Sequence, residues 1–179
     1  MKLTYQDLLE KMTNMEMLAI PPEKGEMGGN FSSYDRNSSY DPSTDTYSQW
    51  GANRDCDGYI RMEKDRLVAF EMEGPGVIWR IWSANPQEGH IRIYTENEQK
   101  EKMDMPFRKL FERYAYDESR VEWPANFPEL MPILSRGRNR FIPIPFNHYC
   151  KVTLDPGWGE FYHITYTKFP SCVELPEYS

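Results

Sequence analysis

The sequence is short of histidine, cysteine, basic charge and long apolar runs, and each shortage removes a class of function. Its three histidines and three cysteines are scattered, with no partners at ligand spacing, so neither a metal site nor a cofactor is expected. Cys56, Cys150 and Cys172 are odd in number and far apart, which suits reduced thiols in a cytoplasmic protein rather than a disulfide framework. No window is apolar for long enough to span a bilayer. Lys2, Asp7, Glu10, Lys11 and Glu16 interrupt the first twenty residues, where a signal peptide needs an unbroken apolar stretch. Twenty-one basic against 28 acidic residues leave a net charge of −7, the opposite of a nucleic-acid-binding footprint. There is also no Gly-x-Ser-x-Gly turn for a nucleophilic serine and no glycine-rich phosphate loop.

Aromatic residues, by contrast, make up 15% of the 179 positions, beside 14 prolines and 11 glycines, a mixture that reads as many short strands joined by fixed turns. Thr4 and Asp7 offer caps for a first helical turn, and Leu8, Leu9, Met12 and Met15 recur at helical spacing before Pro21-Pro22 stops them. Residues 1–22 are therefore expected to form a helix and linker, and 23–179 one domain. Glu23 to Asp57 lacks either apolar period and reads as a long ordered surface loop. Alternation then predicts strands at Gly58–Met62, Leu67–Met72, Val77–Trp82 and Ile91–Thr95, with Gly74-Pro75-Gly76 as a reversal. Residues 96–105 read as solvated, Phe107, Leu110, Phe111 and Tyr114 as a short helix, and Val121–Gly137 as loop. Strands resume at Arg140–Ile144, Tyr149–Leu154, Phe161–Thr167 and Cys172–Leu175. The fold class expected is all-β: a jelly-roll β-sandwich of about eight strands with a short N-terminal helix and one short inserted helix.

Candidate sugar contacts lie in the long loop, where Asp35 and Arg36 offer charge-assisted hydrogen bonds and Tyr34 or Trp50 an apolar ring face. The competing role for Asp35 and Arg36 is to tie down their own loop or to meet a neighbouring subunit. Strict alternation puts Trp79 and Trp82 on opposite faces, one filling the core and the other free to line a groove; Trp82 joins the candidate contacts. Arg80, on a strand expected to be buried, needs a carboxylate or several carbonyls. His163 reads as a structural imidazole, His90 and His148 as turn residues, and Glu71 and Glu73 as a solvated pair on one strand face.

Four segments resemble a known family: Phe31-Ser32-Ser33-Tyr34-Asp35-Arg36, Glu73-Gly74-Pro75-Gly76-Val77-Ile78-Trp79-Arg80-Ile81-Trp82-Ser83, Phe141-Ile142-Pro143-Ile144-Pro145-Phe146 and Tyr162-His163-Ile164-Thr165-Tyr166. Their order is similar to that in glycoside hydrolase family 172. The resemblance implies two successive jelly rolls, trimer-based homo-oligomers and action on fructofuranose- or arabinofuranose-containing glycans. It also implies two catalytic glutamates, in Glu-Gly-Asp and Gly-Thr-Gly-Thr-Glu-Asp-Tyr motifs of a second jelly roll. Neither motif occurs in these 179 residues. The expectation is a first jelly roll without the second, with no catalytic residue of its own, inactive alone, and with an exposed apolar contact surface that favours self-association. The alternative is a non-catalytic carbohydrate-binding or assembly module.

Overall fold

The computed structural model describes residues 1–50, 54–56, 58–96, 99–112 and 128–178. Helix α1 (Tyr5–Thr13) starts at the expected capping box, in which the Thr4 hydroxyl and the Asp7 carboxylate satisfy each other's backbone amides. Thirteen strands follow among the described residues. They are β1 (Met27–Ser32), β2 (Ser39–Asp41), β3 (Thr46–Ser48), β4 (Arg61–Glu63), β5 (Arg66–Glu73), β6 (Gly76–Pro86) and β7 (His90–Thr95). Then come β8 (Met103–Pro106), β9 (Ile133–Leu134), β10 (Gly137–Arg140), β11 (Ile144–Phe146), β12 (Tyr149–Leu154) and β13 (Gly159–Lys168).

The strands build a β-sandwich. One sheet runs β1-β13-β6-β10-β9, with β11 also on β6; the other runs β4-β5-β12-β7-β8, and β2 pairs with β3 alone. Alternate residues of both sheets, among them Phe70, Ile78, Ile81, Ile93, Phe146, Val152, Tyr162 and Ile164, meet between them and are almost fully buried. A second cluster of Leu3, Leu8, Val77, Phe169, Val173 and Leu175 seats α1 on the outer face of the first sheet. No helix among the described residues is long and apolar enough to cross a membrane.

Several expectations need correction. The long loop contains β1, which pairs with β13 from Met27↔Lys168 to Ser32↔His163, and the β2–β3 hairpin. β1 leaves no apolar period because Gly28 and Gly29 occupy it. A Cβ at Gly29 would stand 2.4 Å from the Tyr166 hydroxyl oxygen, so that ring requires a glycine there. Residues 96–105 are not all solvated, since Met103 and Met105 of β8 point into the core. Phe107–Phe111 is a 3-10 helix, with Tyr114 and residues 121–127 outside the described set. Ile133 and Leu134 form a hairpin with β10 where loop was expected. The strand expected at Arg140–Ile144 is split, with proline at 143 unable to donate to a ladder, and Cys172–Leu175 reduces to one bridge between Glu174 and Lys2. His90 opens β7 rather than lying in a turn.

The two tryptophans also differ from expectation. The β13–β6 register shifts by one residue between Thr165↔Arg80 and Tyr166↔Ile78, so Trp79 is the extra residue of a bulge. Trp79 donates Nε1–H to Thr167 Oγ1 (2.9 Å) and Trp82 lies edge-on to His163 at 5.1 Å. Both indoles therefore occupy the outer face of the first sheet.

Candidate functional site

The segment leaving β1 is fixed almost entirely by backbone groups. Ser33 N–H donates to Tyr162 O (3.1 Å), Tyr162 N–H to Ser33 Oγ (3.1 Å) and Gly58 N–H to Ser33 O (3.2 Å). Beneath them the buried Tyr162 hydroxyl donates to Gly58 O (3.1 Å), and burial pushes its phenol up to about 12. This frame presents Asp35 and Arg36 at one end of the sandwich.

Asp35 is 6% exposed. Its carboxylate accepts the amides of Asn37 (2.9 Å) and Arg54 (3.1 Å), and its own amide donates to Asp55 Oδ1 (3.0 Å). The Asn37 amide, then that of Arg54 and the Arg54 charge, hold the carboxyl below the usual range against the opposing effect of burial. Arg36 donates Nη1 to Tyr34 O (2.7 Å) and Nη2 to Ser32 O (3.0 Å), while its guanidinium stacks on the Tyr34 ring at 3.9 Å. Both residues thus brace their own loop.

They also wall a cleft of about 750 Å³ that brings in Arg54, Tyr59, Trp158 and Glu160. The last two arrive on the turn into β13, where Gly159 has φ 110 and Phe161 has φ 58. A bulky residue in the left-handed region is strained, and such strain concentrates at working sites. Sequence reasoning named Asp35 and Arg36 but missed Arg54, Tyr59, Trp158 and Glu160. The turn at Asp155–Gly159 was legible, but not its approach to a loop 120 residues earlier.

The other candidates lie elsewhere. Trp50 is 74% exposed and stacks on Tyr47 at 4.9 Å, as Tyr47 does on Tyr40 at 5.0 Å. Their planes are inclined by 48° and 59°, which makes a ridge rather than a flat platform. Trp82 lies on the sheet face, near Arg80 and His163. Arg80 is half-buried, and among the described residues it donates Nε to Asn139 Oδ1 (2.8 Å) with no carboxylate partner. His163 approaches Asn30 Nδ2 through Nδ1 (3.3 Å); burial and then the Arg80 charge lower its pKa.

Glu71 is bound by Arg61 and by the Tyr149 hydroxyl (2.7 Å), and the Arg61 hydrogen bonds pull its carboxyl down to about 2. Such a group stays ionised and offers no proton. Glu73 is exposed. No group of three or more His, Cys, Asp or Glu among the described residues is placed to hold a metal ion.

Compared with known proteins, residues 24–179 match the family model for the GH172 first β-sandwich domain. No curated protein matches the chain.

Proposed function

Since the chain belongs to the GH172 family and forms its first β-sandwich domain, we propose that it is the scaffold and sugar-contacting portion of a glycoside hydrolase acting on α-furanosides, fructofuranose or arabinofuranose. The cleft at Asp35 carries this reading. Its volume of about 750 Å³ falls within the roughly 300–1,000 Å³ typical of small-molecule sites. Its walls combine the exposed Tyr59 with the polar groups of Arg54, Asn37 and Glu160, an apolar and a hydrogen-bonding surface of the kind that a sugar's two faces require, while Trp158, mostly packed in the core against Phe107 and Tyr162, closes one side. The strand order supports a jelly roll: β1-β13-β6-β10 on one side and β5-β12-β7 on the other alternate early and late strands, with β8 added as the neighbour of β7.

A retaining furanosidase needs one carboxyl group that holds a proton and a second, ionised one roughly 5 Å away. Asp35 and Glu71 are both held ionised, so they suit hydrogen bonding and structure rather than proton donation. In this reading the acid and the nucleophile come from the family's second sandwich, and residues 1–22 are a helix and linker ahead of a single domain. Homo-oligomers, trimer-based, and a cytoplasmic location belong to the same proposal, the latter supported by three cysteines of which none is in a disulfide among the described residues. The second reading is a non-catalytic carbohydrate-binding or assembly module, favoured by the way Arg36 spends two donors on its own loop.

The test is turnover. Purified chain incubated with an aryl α-arabinofuranoside or with difructose dianhydride should release no product. Release that disappears when one glutamate of the chain is replaced would overturn the division of labour.

A further inference from the structure

The β9–β10 hairpin carries a local charge that opposes that of the whole chain. The net charge is −7, yet residues 74–87 and 131–149 contain no Asp or Glu; of their four arginines, Arg136 at the hairpin tip is exposed, Arg80 and Arg138 are half-buried, and Arg140 is buried. At the tip of the β9–β10 hairpin, Ile133 and Leu134 are 52% and 60% exposed, with Arg136 exposed beside them. The turn itself holds Ser135 at φ 49 and Arg136 at φ 69, geometry that a two-residue hairpin needs and that residues other than Gly, Asn or Asp adopt at a cost. Two bare aliphatic side chains and a guanidinium gain nothing from being held in water by a strained turn, so the projection is shaped for contact.

A complementary surface exists on the same chain. Between α1, the connection to β1 and the outer face of the first sheet runs a groove of about 480 Å³. Met17, Ile20 and Trp79 line it with apolar surface, and the carboxylates of Asp7, Glu10, Glu23 and Glu26 around it outnumber the one lysine, Lys11. The occupant that matches both its shape and its sign is an apolar projection tipped with positive charge.

We infer that the β9–β10 hairpin of one copy docks into the α1 groove of a second copy, with Leu134 against the apolar floor and Arg136 facing the glutamates. The contact joins two different patches, so copies associate head to tail, an arrangement that closes into a ring when the rotation allows. The inference rests on the oligomeric part of the function proposed above and specifies which surfaces carry it.

Sedimentation velocity across a concentration series tests it with the chain, Arg136→Glu, Glu23→Lys and the double variant carrying both. Both positions are exposed, and thermal melting checks that each variant folds. The chain should assemble. Each single variant should raise the dissociation constant at least about tenfold, and the double variant, with the charge pair inverted, should recover most of that loss. Assembly indifferent to both single changes would overturn the hairpin contact and leave the oligomeric reading standing. A chain that stays monomeric at every concentration would overturn both.

Discussion

Gly58 is the position where a single methyl group should do most damage to the cleft. A Cβ built there would lie 1.8 Å from Tyr34 O, 2.5 Å from Arg36 Nη1 and 2.7 Å from the Ser33 carbonyl carbon. The first contact is with backbone, so Tyr34 must retreat by more than ~1 Å before van der Waals contact becomes tolerable. That retreat breaks the 2.7 Å hydrogen bond from Arg36 and loosens the 3.2 Å bond from Gly58 N–H to Ser33 O. Overpacking costs roughly 1–3 kcal/mol, and a lost hydrogen bond adds about 1 kcal/mol. Gly58→Ala should therefore destabilise the chain by about 2–4 kcal/mol, lowering Tm by roughly 5–12 °C for a domain of this size. Urea unfolding followed by tryptophan fluorescence measures the change directly. Gly28→Ala is the control, because the nearest atom to its Cβ is Tyr166 O at 3.9 Å, an ordinary contact. A loss at Gly58 no larger than at Gly28 would refute the argument that this loop is held by close backbone approach.

Three further outcomes follow from particular groups. Glu71, lowered to about 2 by Arg61, contributes stability that is present above its unfolded pKa near 4.5 and fades as pH falls toward 2. In Glu71→Gln the acid limb of the unfolding-pH profile should flatten over that window. Thr153 Oγ1 is buried without a hydrogen-bond partner among the described residues, so Thr153→Val should be neutral or stabilising by up to about 1 kcal/mol in thermal melts; a loss above that would mean the hydroxyl has a partner. The Arg80 charge helps to depress the His163 pKa, so in Arg80→Met its imidazole should titrate at higher pH by NMR; an unchanged midpoint would leave burial as the sole cause.

The parts of the fold that read clearly in the sequence depend on neighbours along the chain. The Thr4–Asp7 box is local, and the run Val77–Trp82 is apolar enough to identify a central strand without knowing its partners. What did not read was decided across the sheet. β1 is a strand because β13 pairs with it and because a glycine at 29 admits the Tyr166 ring, and neither fact is written into residues 27–32. The two buried methionines of β8 are separated by a single aspartate inside a charged segment, which masks a two-residue period. Trp79 and Trp82 share a face because of one extra residue in β6, visible only in the register with β13. The candidate site divides the same way. Asp35 and Arg36 stood out in a loop dense with rings and hydroxyls, whereas Trp158 and Glu160 looked like an ordinary turn and its exit until folding brought them to the same cleft. Trp50 and Trp82, equally legible as exposed-type aromatics, line other surfaces.

Contact between the Asp35 cleft and a furanoside is read out by an NMR titration of the chain with an α-arabinofuranosyl oligosaccharide, followed at the amides of Arg54, Tyr59, Trp158 and Glu160. Saturable shifts confined to that cleft and weakened by Glu160→Gln are expected. Shifts centred on the Tyr40–Tyr47–Trp50 ridge or on Trp82, or none up to the solubility limit of the sugar, would contradict that contact.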